Sequence, residues 1–485
     1  MSLTINHFTA LAPLLVTTLT TVLVMLGIAW RRHNGLSFVL TFLGLLVSLL
    51  AVIPALAVTP LDVTPILRVD RMACYYFAMI LGGSLVISVS AYAFLGEEKE
   101  RGFQGNRDEL YLLLLLATAG GLVLASAQHL AGLFIGLELL SVPTYGMIAY
   151  AFFNRHSLEA GLKYMVLSAL GSALLLFGMA LLYASCGALS YSGLAIALAH
   201  PANTALVDVG ITLMVIGLAF KLSLAPFHLW TPDVYQGAPV PVAAFLATVS
   251  KIAVFAVVVR FYQSVPASHG HWMDACLGFI AVVSILLGNL SAMYQDNLKR
   301  LLGYSSIAHF GYLLIALIAG KGLAVEAINV YLLAYLVTTL GAFGVINLQS
   351  SPFNENHNNS LTHYRGLFWT FPIQALVLML MFLSLAGVPL TGGFVGKFYV
   401  MGAGAQSGHW WLVAALIVGS GIGLYYYLRV IVTLFLHPGE LLPTPKSSFS
   451  YWANNAFLMV VSVLTLALGI FPEPLLELIQ QAVQS

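Results

Sequence analysis

Six residues able to hold or pass a proton stand in segments that are otherwise apolar: Glu138, Lys163, Lys221, Lys251, His309 and Lys397. A charged side chain near the centre of a bilayer is costly, so each one needs a reason. The ordinary reason is a structural ion pair or a snorkelling head group. It suits Arg260, near the end of its segment, and Arg429, just after the Tyr425–Tyr427 run. Lys163, nearer an end, fits either reading. Lys221, Lys251 and Lys397 fall at mid-depth, where a lysine cannot snorkel, and Glu138 alone cannot pair with all three. A lysine out of water holds its proton less firmly and regains it beside a carboxylate, so a change in a neighbour's charge moves the proton. That is the requirement for a relay. His309, in SSIAHFGYLL, titrates in the right range and shares its segment with Lys299, Ser305 and Ser306. His228, two residues after Pro226, serves equally well as a cap for carbonyls freed by the proline. Asp233, after Pro232, reads as a turn or capping residue.

The segments themselves set the fold class. Only 8% of the 485 residues are Asp, Glu, Lys or Arg, 60% are hydrophobic, and mean hydropathy is +0.94. A soluble domain carries about a quarter charged residues. Fourteen stretches have the ~20 apolar residues of a membrane helix: 8–30, 35–57, 72–95, 110–127, 129–150, 158–184, 206–231, 238–264, 272–293, 301–320, 323–349, 370–404, 407–435 and 452–471. Their length and continuity exclude a β-barrel. The expectation is an all-α polytopic membrane protein of about 14 transmembrane helices, one domain over 1–485. The first run lacks a charged start and a cleavage site, so it reads as a retained helix. A net charge of +1 gives no sign of nucleic-acid binding, and Cys74, Cys186 and Cys276 form no metal spacing. No cofactor is expected on this chain.

Two stretches are interrupted. The seventh runs into KLSLAPFHLWTP, with Pro226 near the middle and Pro232 at the end. The twelfth contains SLAGVPLTGGFVGK, whose glycines and Pro389 are expected to leave 387–396 unwound. Breaks five helices apart fit two inverted five-helix repeats, helices 4–8 (108–264) and 9–13 (270–435), after helices 1–3 (1–107) and before helix 14 with its tail (450–485). Residues 60–71 read as a short extended or hairpin piece. With the N-terminus outside, the inward loops hold Arg31, Arg32, Lys99, Arg101, Arg107, Arg155, Lys299, Arg300, Arg365 and Lys446, against Arg68, Arg71 and Lys321 outside. That bias places both termini on the periplasmic side.

The stretch FKLSLAPFHLWTPDVYQGAPVPVAAFLATVSK (220–251) closely resembles the antiporter-like membrane subunits of respiratory complex I, relatives of multisubunit Na⁺/H⁺ antiporter subunits. GLELLSVPTYGMIAYAF (136–152), NLKRLLGYSSIAHFGYLL (297–314) and SLAGVPLTGGFVGKFYV (384–400) extend the resemblance over about 70–430. By position it makes Glu138 the helix-5 glutamate, Lys221 and Lys251 the lysines of helices 7 and 8, and Lys397 the ionisable residue of the second broken helix. One sister subunit has glutamate there, and the largest continues into a lateral helix. Lysine at 397 and a chain that stops soon after helix 14 argue against both.

The resemblance implies a bacterial inner-membrane subunit that lies among other complex I membrane subunits, its sister antiporter-like chains included. NADH, FMN, iron–sulfur clusters and quinone belong to partner subunits. The implied route starts at Glu138, paired with Lys221 on the neighbouring-subunit side, and runs through Lys251 and water to His309 and Lys397. Two unit charges ~6 Å apart at an effective dielectric of ~20 interact by about 3 kcal/mol, enough to switch a buried lysine. A Na⁺/H⁺ antiporter subunit or a membrane-bound hydrogenase subunit would carry the same machinery, and gene neighbourhood separates these readings.

Overall fold

In lipid a backbone can satisfy its N–H and C=O groups only within helices or closed barrels, and this chain uses helices throughout. The computed structural model describes residues 4–96, 107–199, 203–265, 267–320, 323–350, 359–437 and 449–483; Lys99, Arg101, Lys321 and Lys446 lie outside them. The helices are α1 (Ile5–Trp30), α2 (Asn34–Leu50), α3 (Val52–Ala57), α4 (Arg71–Gly96), α5 (Glu109–Ser126), α6 (Leu130–Ile148), α7 (Arg155–Cys186), α8 (Tyr191–Ala199), α9 (Thr204–Lys221) and α10 (Trp230–Gly237). They continue as α11 (Val240–Phe245), α12 (Lys251–Ser264), α13 (Ala267–Met293), α14 (Leu298–Ala319), α15 (Leu323–Gln349), α16 (Leu367–Thr370), α17 (Pro372–Ala386), α18 (Gly392–Gln406), α19 (Trp410–Phe435), α20 (Phe449–Ile470) and α21 (Glu473–Val483). Each of the fourteen apolar stretches coincides with a helix or with consecutive helical pieces. Among the described residues twelve helices are long and apolar enough to cross a membrane, or thirteen if α20 and α21, bent by 83°, count as one span. The chain is an all-α polytopic membrane protein.

The expected extended piece is a hairpin of β1 (Leu61–Thr64) and β2 (Leu67–Val69), antiparallel with Leu61 opposite Val69. It marks one face of the molecule. There the Gln128 N–H donates to the Ile66 carbonyl at 3.1 Å, and Arg71 donates to the Gln481 carbonyl of α21 at 3.3 Å. On the opposite, basic face Arg32 pairs with Glu109 at 3.4 Å, and the Leu361 N–H donates to the Asp296 carbonyl at 2.7 Å. Loops assigned to one side by counting helices therefore touch one another.

The innermost helices are α11–α12, α14 and α15, almost wholly buried, whereas α1 and α2 leave most of their residues uncovered by the rest of the chain. Both breaks occur, with adjusted edges. The first spans 222–229, and Pro232 lies in the first turn of α10, where a missing N–H costs nothing. The groups it frees are met by neighbours. Ser284 of α13 accepts the Ala225 N–H at 2.9 Å, and the Trp230 indole donates to the Phe220 carbonyl at 3.1 Å. The second break is only 387–391, shorter than expected, because Gly392, Gly393 and Gly396 are helical in α18. These glycines serve close packing: a Cβ at Gly393 would sit 1.9 Å from the Ser384 carbonyl oxygen, and one at Gly396 would sit 3.0 Å from Tyr331. Lys397 consequently lies well inside α18 rather than at its start. A third irregularity, a π-helical turn over Leu246–Ser250, delivers the chain directly into Lys251. Lys299 is no loop residue: it is buried in the first turn of α14.

Candidate functional site

Lys221 ends α9 at the break, 4% exposed. Its ammonium donates to Ser141 of α6 at 2.8 Å and to Ser168 of α7 at 2.5 Å. Ser168 also meets the Tyr145 hydroxyl at 2.9 Å. Glu138 stands one turn before Ser141 on α6, and its Oε1 is buried without a hydrogen-bond partner. The direct Glu138–Lys221 pair expected from sequence does not form in the described structure. Two serines occupy the contact positions instead.

The next three groups gather around α14. The Lys251 ammonium, 1% exposed, donates to Ser306 at 2.9 Å and lies 4.9 Å from the centre of the Phe310 ring. One turn on, the His309 ring is held on both nitrogens: Nδ1 meets the Tyr331 hydroxyl at 2.6 Å and Nε2 the Tyr427 hydroxyl at 3.1 Å. Tyr427 in turn bonds Ser305. Lys397, 6% exposed, donates to the carbonyls of Leu385 and Ala386 at 2.9 Å each. These are orphan acceptors at the negative end of α17, where a cation is favoured. Gly387 follows with φ +84°, and a Cβ there would lie 2.8 Å from Lys397 Cδ. A cavity with room for about one water is lined by His309, Tyr331, Ser384 and Leu385, so it joins the imidazole to the carbonyls that hold Lys397.

The remaining candidates lie apart from this row. Lys163 is 42% exposed and bonds Glu159 at 2.6 Å and Asp233 at 3.0 Å. Asp233 is more than a turn residue: its other oxygen takes Arg300 of α14 at 2.6 Å, so it bridges α7 and α14 through α10. His228 is buried in the first break with Nδ1 unpartnered and lies against the Pro226 backbone, consistent with the capping expected of it, and Trp230 and Ser284 meet other groups of the break. Arg260 is structural. It grips Asp70 with two bonds of 2.9 and 2.5 Å and donates to the Ala125 carbonyl at 3.0 Å. Arg429 donates to the Gln295 carbonyl in the turn before α14. Among the described residues no cluster of three or more His, Cys, Asp or Glu side chains could hold a metal ion. Sequence reasoning missed Ser141, Ser168, Tyr331 and Tyr427. A hydroxyl in an apolar helix carries no charge penalty to mark it, and the only signal was spacing: Ser141 lies three residues from Glu138.

The model of a family described as NADH:quinone oxidoreductase/Mrp antiporter, transmembrane, matches residues 127–423. NADH-quinone oxidoreductase subunit N of Ectopseudomonas mendocina is 59% identical over 481 residues, covering 99% of this chain and 97% of that protein. A chain in the structure of respiratory complex I from Thermus thermophilus with bound aureothin is 34% identical, with a TM-score of 0.81 over 96% of this chain and 98% of that one. A chain of the Mrp complex from Dietzia sp. reaches a TM-score of 0.84 over 99% and 97% at 21% identity, a likeness of fold alone. The family match contains every member of the buried row from Glu138 to Lys397, and with 59% identity over nearly the whole length it places this chain in the NADH:quinone oxidoreductase/Mrp antiporter transmembrane family.

Proposed function

We propose that this chain is a proton-translocating membrane subunit of respiratory NADH:quinone oxidoreductase, of the same kind as subunit N, and that Lys221, Lys251, His309 and Lys397 are its relay. Electron transfer from NADH through FMN and iron–sulfur clusters to quinone belongs to partner subunits, and this chain contacts the other membrane subunits and lipid. The observation that carries the relay is the nature of the partners. Lys221, Lys251 and His309 are bonded to serine and tyrosine hydroxyls, which both donate and accept. Each base is therefore satisfied before and after it gives up a proton, without any movement of heavy atoms. Glu138, with a buried oxygen left open, is the input: a change of charge beside it alters the field at Lys221. Water must complete the longer steps. Lys163 sets the surface field near Asp233, and His228 lines the first break.

The two breaks belong to two inverted units, 108–264 and 270–435; Lys221 stands at the first break, and Lys397, inside α18, reaches back to the second. The basic face is cytoplasmic and the hairpin face periplasmic, which puts the N-terminus in the periplasm of a cell whose inner membrane holds the complex. Lys251→Met keeps the side chain's length and removes its proton. In sealed vesicles it should assemble with the complex and lose pumping by about tenfold or more. Wild-type pumping in that variant would remove Lys251 from the route and with it the relay.

A further inference from the structure

We infer that the seam between α10 and α14 is the passage by which protons reach Lys251 from the basic face, with Lys299 as its uptake residue and the Tyr235 hydroxyl as a water-holding station. The inference rests on the relay described above. Lys299 is the second residue of α14 and 4% exposed. Its ammonium has one protein acceptor, the Ala238 carbonyl at the end of α10, at 2.9 Å. The first turn of α14 is the positive end of that helix, so its own dipole opposes a cation there. A buried ammonium with unused donors at such a place calls for more than a capping role.

The seam reaches solvent through Asp233, whose side chain is 37% exposed and is held by Arg300, the neighbour of Lys299, and by Lys163. It reaches the relay through Ser306, seven residues along α14 from Lys299. That is two turns on the same side, about 10 Å along the axis. Ser306 takes the Lys251 ammonium at 2.9 Å. Tyr235 fills the interval. Its ring packs on Gly303 of α14, where a Cβ would lie 3.6 Å from the ring, and its centre is 5.9 Å from the Lys251 ammonium. Its hydroxyl is wholly buried on the side of Ser306, which it approaches without a hydrogen bond of good geometry. A buried hydroxyl without a bond is costly, and water is the partner that removes the cost. An exposed acid, a buried cation, an open hydroxyl and a serine thus follow one another from the surface to Lys251.

The test uses the intact complex in sealed vesicles, with Lys299→Arg and Tyr235→Phe compared with Lys251→Met. Arginine still caps the Ala238 carbonyl but does not release a proton. Lys299→Arg should therefore assemble normally, oxidise NADH with an artificial acceptor at the wild-type rate, and pump about tenfold more slowly or worse. Tyr235→Phe breaks no well-formed protein hydrogen bond and should slow pumping with stability unchanged. Wild-type pumping in Lys299→Arg would make Lys299 a cap and overturn the proposal. If Lys299→Arg does not assemble, normal pumping in Tyr235→Phe overturns it instead. Should Lys251→Met also pump normally, the relay itself fails and not merely its inlet.

Discussion

Lys397→Glu is the substitution for which sequence and structure disagree most sharply. A glutamate at the corresponding place of a sister chain suggests tolerance. Here, however, the ammonium is 6% exposed and donates to two carbonyl oxygens at 2.9 Å, the last acceptors of α17. A hydrogen bond from a charged group contributes about 1.5–3 kcal/mol, so both together contribute about 3–6 kcal/mol. A carboxylate forfeits them and also points negative charge at the negative end of a half-helix, a reversal costing about 1 kcal/mol more. If the carboxyl keeps a proton it regains one neutral bond, worth about 1 kcal/mol. The net loss is at least about 2 kcal/mol, or roughly thirtyfold in the population of the wild-type arrangement. Lys397→Met loses the same bonds without the repulsion. Initial pumping rates in sealed vesicles, normalised to assembled complex, should rank wild type far above Lys397→Met, with Lys397→Glu no better than Met. Pumping by Lys397→Glu within about twofold of wild type would refute the reasoning, because it would mean that the carbonyls of Leu385 and Ala386 do not set what this position can hold.

Three further outcomes are expected. Glu138→Gln keeps the shape beside Ser141 and removes the charge, so the complex should assemble while protons pumped per electron decline; an unchanged ratio would show that the input lies elsewhere. Tyr427→Phe severs the contacts to His309 Nε2 and Ser305, leaving the imidazole nitrogen unpaired at a cost of about 1–3 kcal/mol; pumping should slow by about tenfold with assembly intact, and a wild-type rate would take Tyr427 out of the route. Burial alone would raise the Asp70 carboxyl, but the Arg260 guanidinium beside it overrides this and holds it below the usual carboxylate range. Its stabilisation is therefore present above the unfolded value near ~3.9 and lost as pH falls through the lower folded value. Asp70→Asn, which strands Arg260, should cost about 3–5 kcal/mol at neutral pH and flatten the acid limb of the thermal-stability profile of the solubilised complex; an unchanged profile would show that the pair contributes nothing.

What could be read from the sequence followed the size of the energetic penalty. Charges in lipid are so costly that Glu138, Lys221, Lys251 and Lys397 stood out at once, and proline and glycine marked both breaks. Hydroxyls are cheap to bury, so Ser141, Ser168, Tyr331 and Tyr427 left no mark although they touch the relay directly. The π-helical turn before Lys251 arises from LATVS, which has neither proline nor glycine. Asp233 was undervalued because its partners, Lys163 and Arg300, are 70 and 67 residues away. Lys299 was assigned to a loop because nothing local reveals that α10 folds back over the start of α14.

The partners also give the row a direction. Lys221 and Lys251 rest on serines and His309 on two tyrosines, so a hydroxyl can turn its hydrogen toward a vacated lone pair or away from a newly bound proton. Lys397 rests on carbonyl oxygens, which accept and never donate, so they hold the ammonium and offer nothing to a lone pair. A row of two-way groups that ends on a one-way holder passes protons freely along its length and delays them at the last position. The amine left after release from Lys397 can still meet both carbonyls with its two remaining N–H groups, but they offer its lone pair no donor, so the proposed release step is favoured when water enters or the break at 387–391 opens. That step is where a conformational change elsewhere in the assembly can act, because Gly387 packs directly on the lysine stem and any rotation of the break moves both carbonyls together. In the proposed relay, input at Glu138 is a change of field and output at Lys397 a change of shape.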